Sequence, residues 1–270
     1  MQLPDWTDPK VRADAVREAA ERTVEPLVLD TVRVTTPAQE RSKEALSRGV
    51  AVVTGQQAGL FGGPLYTLHK AAAAIVNACR LEEETGVPVA PVFWLQDEDH
   101  DFDEIAGTWL LDGDLGLHEA RLDGASGDPR APVAERGLEE GVATALAVAA
   151  EALEGLPHTD DVLALLRSCY TPGASVSSAF HELIEALFAD HGLLVVDPMH
   201  PTLRPAAASL HAEAIERAGP LATVLREQAA WLEAQGRPVP VHVRPGSPLC
   251  FVHPDGDDGP RYRAEPDADG

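Results

Sequence analysis

Eight consecutive positions, Asp97-Glu-Asp-His-Asp-Phe-Asp-Glu104, hold six carboxylates and one imidazole, and they follow closely on Trp94. Crowded carboxylates repel one another and raise some of their own pKa values unless a cation sits among them. Three kinds of chemistry suit such a set: holding Mg²⁺, holding a substrate ammonium group, or supplying a general base. An acidic surface loop on an acidic protein is the plain alternative. His100 taken alone is of the kind that more often ends as a satisfied polar residue than as a ligand.

A second string, Thr54-Gly-Gln-Gln-Ala-Gly-Leu-Phe-Gly-Gly-Pro64, carries four glycines, Gly55, Gly59, Gly62 and Gly63. Glycine permits positive φ and close approach of backbone to a ligand. A loop of this kind ahead of a helix can hold an anion on backbone N–H groups and the helix N-terminus. It is neither a Walker A sequence, since no GK[ST] follows, nor a GxGxxG dinucleotide loop. A tight strand-to-helix turn would also use glycines, but the paired amides of Gln56 and Gln57 supply orienting hydrogen bonds rather than packing. Tyr66, His69 and Lys70 stand at i, i+3 and i+4 and share one side of the helix that follows. There Lys70 could bind phosphate as a point charge, with Tyr66 and His69 orienting a substrate; a solvated helix face is the alternative. Only three residues are lysine, and Lys70 alone falls inside a motif.

The elements that must position these residues read as follows. Residues 10 to 31 form an amphipathic helix and Pro37 to Arg48 a second, ending at Gly49. Val50 to Val53 is a short apolar run, the pattern of a strand buried on both faces, and it leads into the glycine string. Leu65 to Glu84 is a helix with Leu65, Leu68, Ala72, Ile75, Val76 and Cys79 as its apolar stripe, closed by Gly86-Val-Pro88. Val87 to Leu95 is a second buried strand leading into the acidic string. Strand, loop, helix, strand is a βαβ unit and implies a parallel sheet, and such sheets bind ligands beyond the carboxyl ends of their strands. Both unusual strings lie there.

Further on, Trp109 to Leu122 holds short strands and Gly124 to Arg130 a polar turn. Helices are expected over Leu138–Leu153, Asp160–Ser168 and Ser177–Asp190, with Ser177 and Ser178 as caps. A third buried strand, Leu193 to Val196, closes at Asp197-Pro198, where the acid is expected to cap the next helix. Pro205 to Gln235 reads as one or two helices broken near Gly219-Pro220. Val239–Val243 and Leu249–His253 read as strands, with a hairpin turn at Asp255–Gly259. The expected class is α/β: a core domain over 1–235 whose first 48 residues are a helical segment, a small β appendage over 236–265, and a disordered tail over 266–270.

The 270 residues carry 44 acidic against 21 basic side chains, a formal charge of -23. No basic stripe is present, so nucleic acid is not an expected partner. The longest apolar run, Ala71 to Val76, is far too short to cross a bilayer, and Met1-Gln-Leu-Pro-Asp-Trp6 has the features of no signal peptide. Three isolated cysteines, Cys79, Cys169 and Cys250, suit a reducing cytoplasm and argue against a zinc site. No GxSxG elbow is present, which counts against a serine hydrolase.

The strings Val53 to Lys70 and Pro91 to Glu104 closely resemble the bacillithiol-biosynthesis cysteine-adding enzymes, the BshC family. Ala179 to Pro198 and Pro238 to Arg263 are similar to it too, so the likeness runs from about residue 45 to the end. The resemblance implies a Rossmann-like sheet flanked by helices and the addition of L-cysteine to the glucosamine amine of glucosaminyl-malate. By analogy with related ligases it implies carboxylate activation by ATP, with Mg²⁺ as companion. Lys70, Glu98, Asp99, His100 and Asp101 would then be catalytic. Thr54, Gln56, Gln57, Gly59, Leu60, Gly63, Pro64, Tyr66, His69, Trp94 and Glu104 would contact substrate. Two departures stand out. Gln96 and Asp97 occupy places where the family usually has small residues. Members are also about twice this length, the remainder carrying a helical coiled-coil region associated with dimerisation. A homodimer or a separate chain supplying that half is therefore an expected partner. Two other readings stay open: a non-catalytic ligand-binding subunit, and a nucleotidyl transferase of the same fold with another acceptor.

Overall fold

The computed structural model describes residues 5–22, 26–124, 131–139, 141–239, 241, 243, 250–252 and 262–263. The chain divides into two compact units, Met1–Leu203 and Arg204–Gly270.

The first unit opens with α1 (Pro9–Ala20), α2 (Pro26–Thr31) and α3 (Pro37–Arg48). The single helix expected over 10–31 is thus two, with Pro26 starting the second; proline suits a first turn and not a helix interior. Thr36 caps α3 by accepting from Gln39 N (3.2 Å). A βαβ unit follows as β1 (Val50–Gln57), α4 (Tyr66–Thr85) and β2 (Val89–Gln96). Next come the short α5 (Phe102–Ile105) and a hairpin of β3 (Gly107–Leu111) with β4 (Leu117–Arg121). The helices α6 (Gly141–Ala152), α7 (Thr159–Cys169) and α8 (Val176–Phe188) lead to β5 (Leu194–Val196).

The sheet among the described residues has three parallel strands in the order β1-β2-β5, so β2 is central. Register runs from Val50↔Val89 to Gln57↔Gln96, and from Val92↔Leu194 to Trp94↔Val196. This is the expected α/β sheet flanked by helices. Alternation on β2 decides the two layers. Phe93 and Leu95 join a core with Ala71 and Ala74 of α4 and Phe180 and Ile184 of α8, while Ala90 and Val92 pack with Val32, Leu46, Leu194 and Val196. Phe93 and Phe180 have centroids 6.0 Å apart. Burying a side chain of this size contributes roughly 2–3 kcal/mol.

Two sequence expectations fail here. Among the described residues β1 lies at the edge of the sheet, and it is half-buried rather than buried on both faces, with Val53 59% exposed. On α4 the buried face is Thr67, Ala71, Ala74 and Ala78, not the bulkier stripe: Leu65, Val76 and Cys79 are exposed. Small residues let this helix lie close on the strands; Leu68 and Ile75 are half-buried against the core, and Leu65, Val76 and Cys79 fall on the outer face.

The N-terminal helices are tied to the core through Gln39, whose amide donates to Glu185 Oε1 (3.2 Å) and to the Leu193 carbonyl (3.0 Å). Arg33 reaches Glu182 and Glu185 of α8.

The second unit contains α9 (Leu203–Glu216), α10 (Ala218–Ala234) and the antiparallel pair β6 (Phe251–Val252) and β7 (Tyr262–Arg263). α9 buries no residue. The helix break lies at Arg217, leaving Gly219-Pro220 inside the first turn of α10, where proline is tolerated. The turns expected at 125–130 and 255–259 and the tail at 266–270 lie outside the described residues, as does most of 239–249. No helix among the described residues is long and apolar enough to cross a membrane.

Candidate functional site

The glycine string is shorter as a loop than its sequence suggests. Thr54, Gly55, Gln56 and Gln57 belong to β1, so only residues 58–65 turn the chain into α4. Ala58 and Leu60 are fully buried, and both belong to the core cluster. Phe61 (φ 53°), Gly62 (φ 92°) and Gly63 (φ 66°) all take positive φ, a course that Phe61 follows only because its surroundings hold it. Gly59 is needed for space: a Cβ there would stand 2.7 Å from the Gly63 Cα.

What holds the loop is a residue the sequence reading missed. Tyr170, just beyond α7, is buried at 1% exposure; its hydroxyl donates to the Gly59 carbonyl and accepts from Gly62 N, both at 3.3 Å. Its ring meets Phe61 edge-on, centroids 5.0 Å apart. Burial drives the phenol well above its ordinary pKa, so the hydroxyl stays a neutral donor.

Beyond this loop, exposed Pro64 and Leu65 lead into α4, and Leu65 supplies no capping side chain. First-turn amides without such a cap can meet an anion. Lys70 Nζ donates to the Gly55 carbonyl (3.2 Å) and to Gln56 Oε1 (2.9 Å), and lies 5.2 Å from the Tyr66 ring centroid. Gln56 Nε2 in turn donates to the Tyr66 hydroxyl (3.3 Å). His69 is exposed on the same stretch of helix and takes no part in these bonds. Lys70, Gln56 and Tyr66 thus form one cluster at the carboxyl end of β1, where the spacing had grouped His69 with Lys70 and Tyr66. Thr54 sits half-buried further back in the strand.

The acidic string resolves into separate tasks. Asp101 caps α5 by accepting from Glu104 N (3.3 Å), Asp103 pairs with Arg121 (2.8 Å), and Glu104 accepts from Gln57 Nε2 (2.9 Å). Phe102 carries the Arg136 guanidinium 4.9 Å from its ring centroid. Asp99 Oδ1 accepts from His100 N (2.7 Å) and lies 3.2 Å from His100 Nδ1, a carboxylate–imidazole pair that remains partly exposed. Two backbone bonds, Ala134 N to the Asp97 carbonyl (3.1 Å) and Val133 N to the Asp99 carbonyl (2.6 Å), fasten the loop to a 3-10 turn over Val133–Glu135. Trp94, on β2, stays partly exposed, and its backbone packs against Gly55.

Asp97 differs from its neighbours: it is only 1% exposed. Ser177 Oγ donates to its Oδ2 (2.5 Å), while Oδ1 is buried with no hydrogen-bond partner. Burial above all, then the charges of Asp197 and Glu98, push its carboxyl up to about 7 against the pull of the Ser177 bond. Ser177 is therefore no cap; the capping box of α8 is Ser175 with Ser178. Asp197 accepts from Met199 N (2.7 Å), which closes a local turn ahead of α9 and is not the helix cap expected of it.

These commitments bear on metal binding. Among the described residues no group of three His, Cys, Asp or Glu side chains is placed to hold an ion. With Asp101, Asp103 and Glu104 engaged elsewhere, the donors do not fit a resident metal.

The family model described as "Bacillithiol biosynthesis BshC, N-terminal Rossmann-like domain" matches residues 13–269. A relative from Koribacter versatilis, named "Putative cysteine ligase BshC", is 37% identical over 214 residues, 79% of this chain and 39% of that protein. A protein of the same name from Solibacter usitatus is 35% identical over 219 residues, 79% of this chain and 41% of its own length. Another from Salinibacter ruber is 33% identical over 266 residues, 94% of this chain and 47% of its own length. The chain spans less than half the length of each of these relatives. A match over nearly the whole chain, on a parallel sheet with both motifs at its carboxyl edge, has one meaning: the chain belongs to the BshC family, as its N-terminal Rossmann-like domain.

Proposed function

We propose that this domain binds the substrates of a ligase that adds L-cysteine to the glucosamine amine of glucosaminyl-malate, forming an amide. The observation that carries the reading is the Gln57–Glu104 hydrogen bond, which brings the end of β1 with its Lys70 cluster alongside the acidic string after β2. One side offers a cation and uncapped helix amides for an anionic group. The other offers an imidazole oriented by a carboxylate.

Amide formation needs an amine that is positioned and has lost its proton, and an activated carboxylate. His100, oriented by Asp99, is the group suited to take the proton, with Glu98 beside it. Lys70 and the first-turn amides of α4 would steady negative charge on the activated partner, while Gln56, Gln57 and Tyr66 orient it. ATP, when bound, would supply the activation of the cysteine carboxylate; its phosphates would lie at Lys70 and the amides ahead of α4. No step is assigned to a protein-bound metal, because the acidic string does not provide its ligands.

A second reading, a ligand-binding half completed by another chain or a second copy, is favoured by one surface. On the β3–β4 hairpin Trp109, Leu111, Leu115 and Leu117 are all exposed, Trp109 at 62%. Contiguous apolar surface of this kind marks contact sites.

The test is turnover by the purified chain with L-cysteine, glucosaminyl-malate, ATP and Mg²⁺, followed by mass spectrometry. Lys70-dependent formation of cysteinyl-glucosaminyl-malate is the expected result. Absence of product, with heat stabilisation by cysteine or ATP, would support the second reading. Neither product nor stabilisation would refute both.

A further inference from the structure

Apart from the two strings that carry the proposed reaction, neighbouring strand ends bring another pair of acids together. Asp97 is the first residue beyond β2 and Asp197 the first beyond β5, on strands paired in register up to Trp94↔Val196. Asp197 is half-buried and Asp97 almost wholly buried, with Oδ1 left without a partner. Folded proteins seldom leave a buried acceptor unused, and a lone buried carboxylate either keeps a proton or takes a cation. The acids downstream on the string have other partners, Asp101 in the α5 cap, Asp103 with Arg121 and Glu104 with Gln57.

We infer that Asp97 and Asp197 together form a recognition site for a primary ammonium group, with Asp97 Oδ1 accepting one of its N–H donors. The choice of ligand rests on the ligase reading above, whose two substrates are an amino acid and an amino sugar, each bringing one amine. Among the described residues, the groups that act on Asp97 are Ser177 from α8, Asp197 beyond β5 and Glu98 on its own loop, and the Arg136 guanidinium lies over the Phe102 ring. Without a ligand, burial and the two neighbouring acids hold the Asp97 proton on up to about pH 7. Ammonium binding replaces that proton with a cation, and the proton passes to solvent.

The experiment is calorimetric titration at pH 6, in two buffers of different ionisation enthalpy. L-cysteine is compared with 3-mercaptopropionate, which lacks the amine, and D-glucosamine with D-glucose. One of the two amines should bind and its amine-free counterpart should not, with close to one proton released. Which amine binds identifies the amino acid or the amino sugar as the occupant. Asp97→Asn should weaken binding on the order of 30-fold or more, the loss expected when one partner of a buried charge pair is removed. Asparagine keeps the shape and can still accept from Ser177, and the wild-type proton count needs no variant at all. Unchanged affinity in Asp97→Asn, equal binding of the amine-free analogues, absence of proton release, or binding of neither amine would each overturn the site. Product formation in the turnover test with unchanged amine affinity in Asp97→Asn would remove this site and leave the ligase reading standing. Asp97-dependent amine binding without product would do the reverse.

Discussion

Asp97→Asn also tests the electrostatics of the fold with no ligand present. The Asp97 carboxyl sits near 7 in the folded chain against an ordinary 3.8. Between those values the unfolded chain has given up a proton that the folded chain still holds. The folded state therefore binds more protons, and stability falls as pH rises from about 4 to about 7, then levels off. A shift of roughly 3 pKa units corresponds to on the order of 4 kcal/mol. Asparagine cannot ionise, so the variant escapes this loss. At pH 4 the two proteins should melt alike; at pH 8 the variant should be the more stable, by up to on the order of 10 °C in a chain of this size. Melting curves of both proteins, taken each half pH unit from 4 to 8, give the difference directly, and carboxyls common to both cancel. A difference that stays flat across that range would show that Asp97 is not held protonated, and the argument from its burial would fall.

Three further outcomes are expected. Tyr170→Phe strips the hydroxyl from between Gly59 and Gly62 and should cost about 1–2 kcal/mol in denaturant unfolding, because a buried carbonyl loses a donor. Gly59→Ala should cost about 1–3 kcal/mol and abolish heat stabilisation by cysteine or ATP, since the new methyl group meets the Gly63 backbone and must displace it. Lys70→Ala and Asp99→Asn should each abolish turnover while unfolding stays within about 0.5 kcal/mol of wild type, as for surface positions; full turnover in both would sink the site assignment.

The gathering of the two strings was legible in the sequence because its most unusual residues are local. Two dense strings fell at the ends of two apolar runs, and a parallel βαβ unit has only one edge at which both can gather. Its errors were of another kind. A short run such as Val50–Val53 reads alike in an edge and a central strand, because edge status depends on what lies alongside. The buried face of α4 was hidden by composition: bulk suggested Leu65 and Val76, which are exposed, whereas close packing on the strands selected Thr67, Ala71, Ala74 and Ala78. The string of acids looked like one cluster because spacing cannot tell Asp101, a cap, from Asp97, a buried acid. Asp97 is defined by Ser177, 80 positions away, and the glycine loop by Tyr170, 111 positions beyond Gly59. No local pattern announces such partners.

The reach of Lys70 from α4 to β1 carries a consequence of its own. An edge strand leaves backbone groups open to pairing with a strand from another molecule, and lysine is a common guard against such growth. Lys70 occupies the Gly55 carbonyl of this edge, close to the outward-facing Val53. The side chain proposed to offer positive charge to a substrate is thus also placed to keep neighbouring copies from zipping onto the sheet. Selection for colloidal behaviour and selection for chemistry would then act on the same lysine, and replacing it would expose the chain to aggregation as well as to loss of turnover.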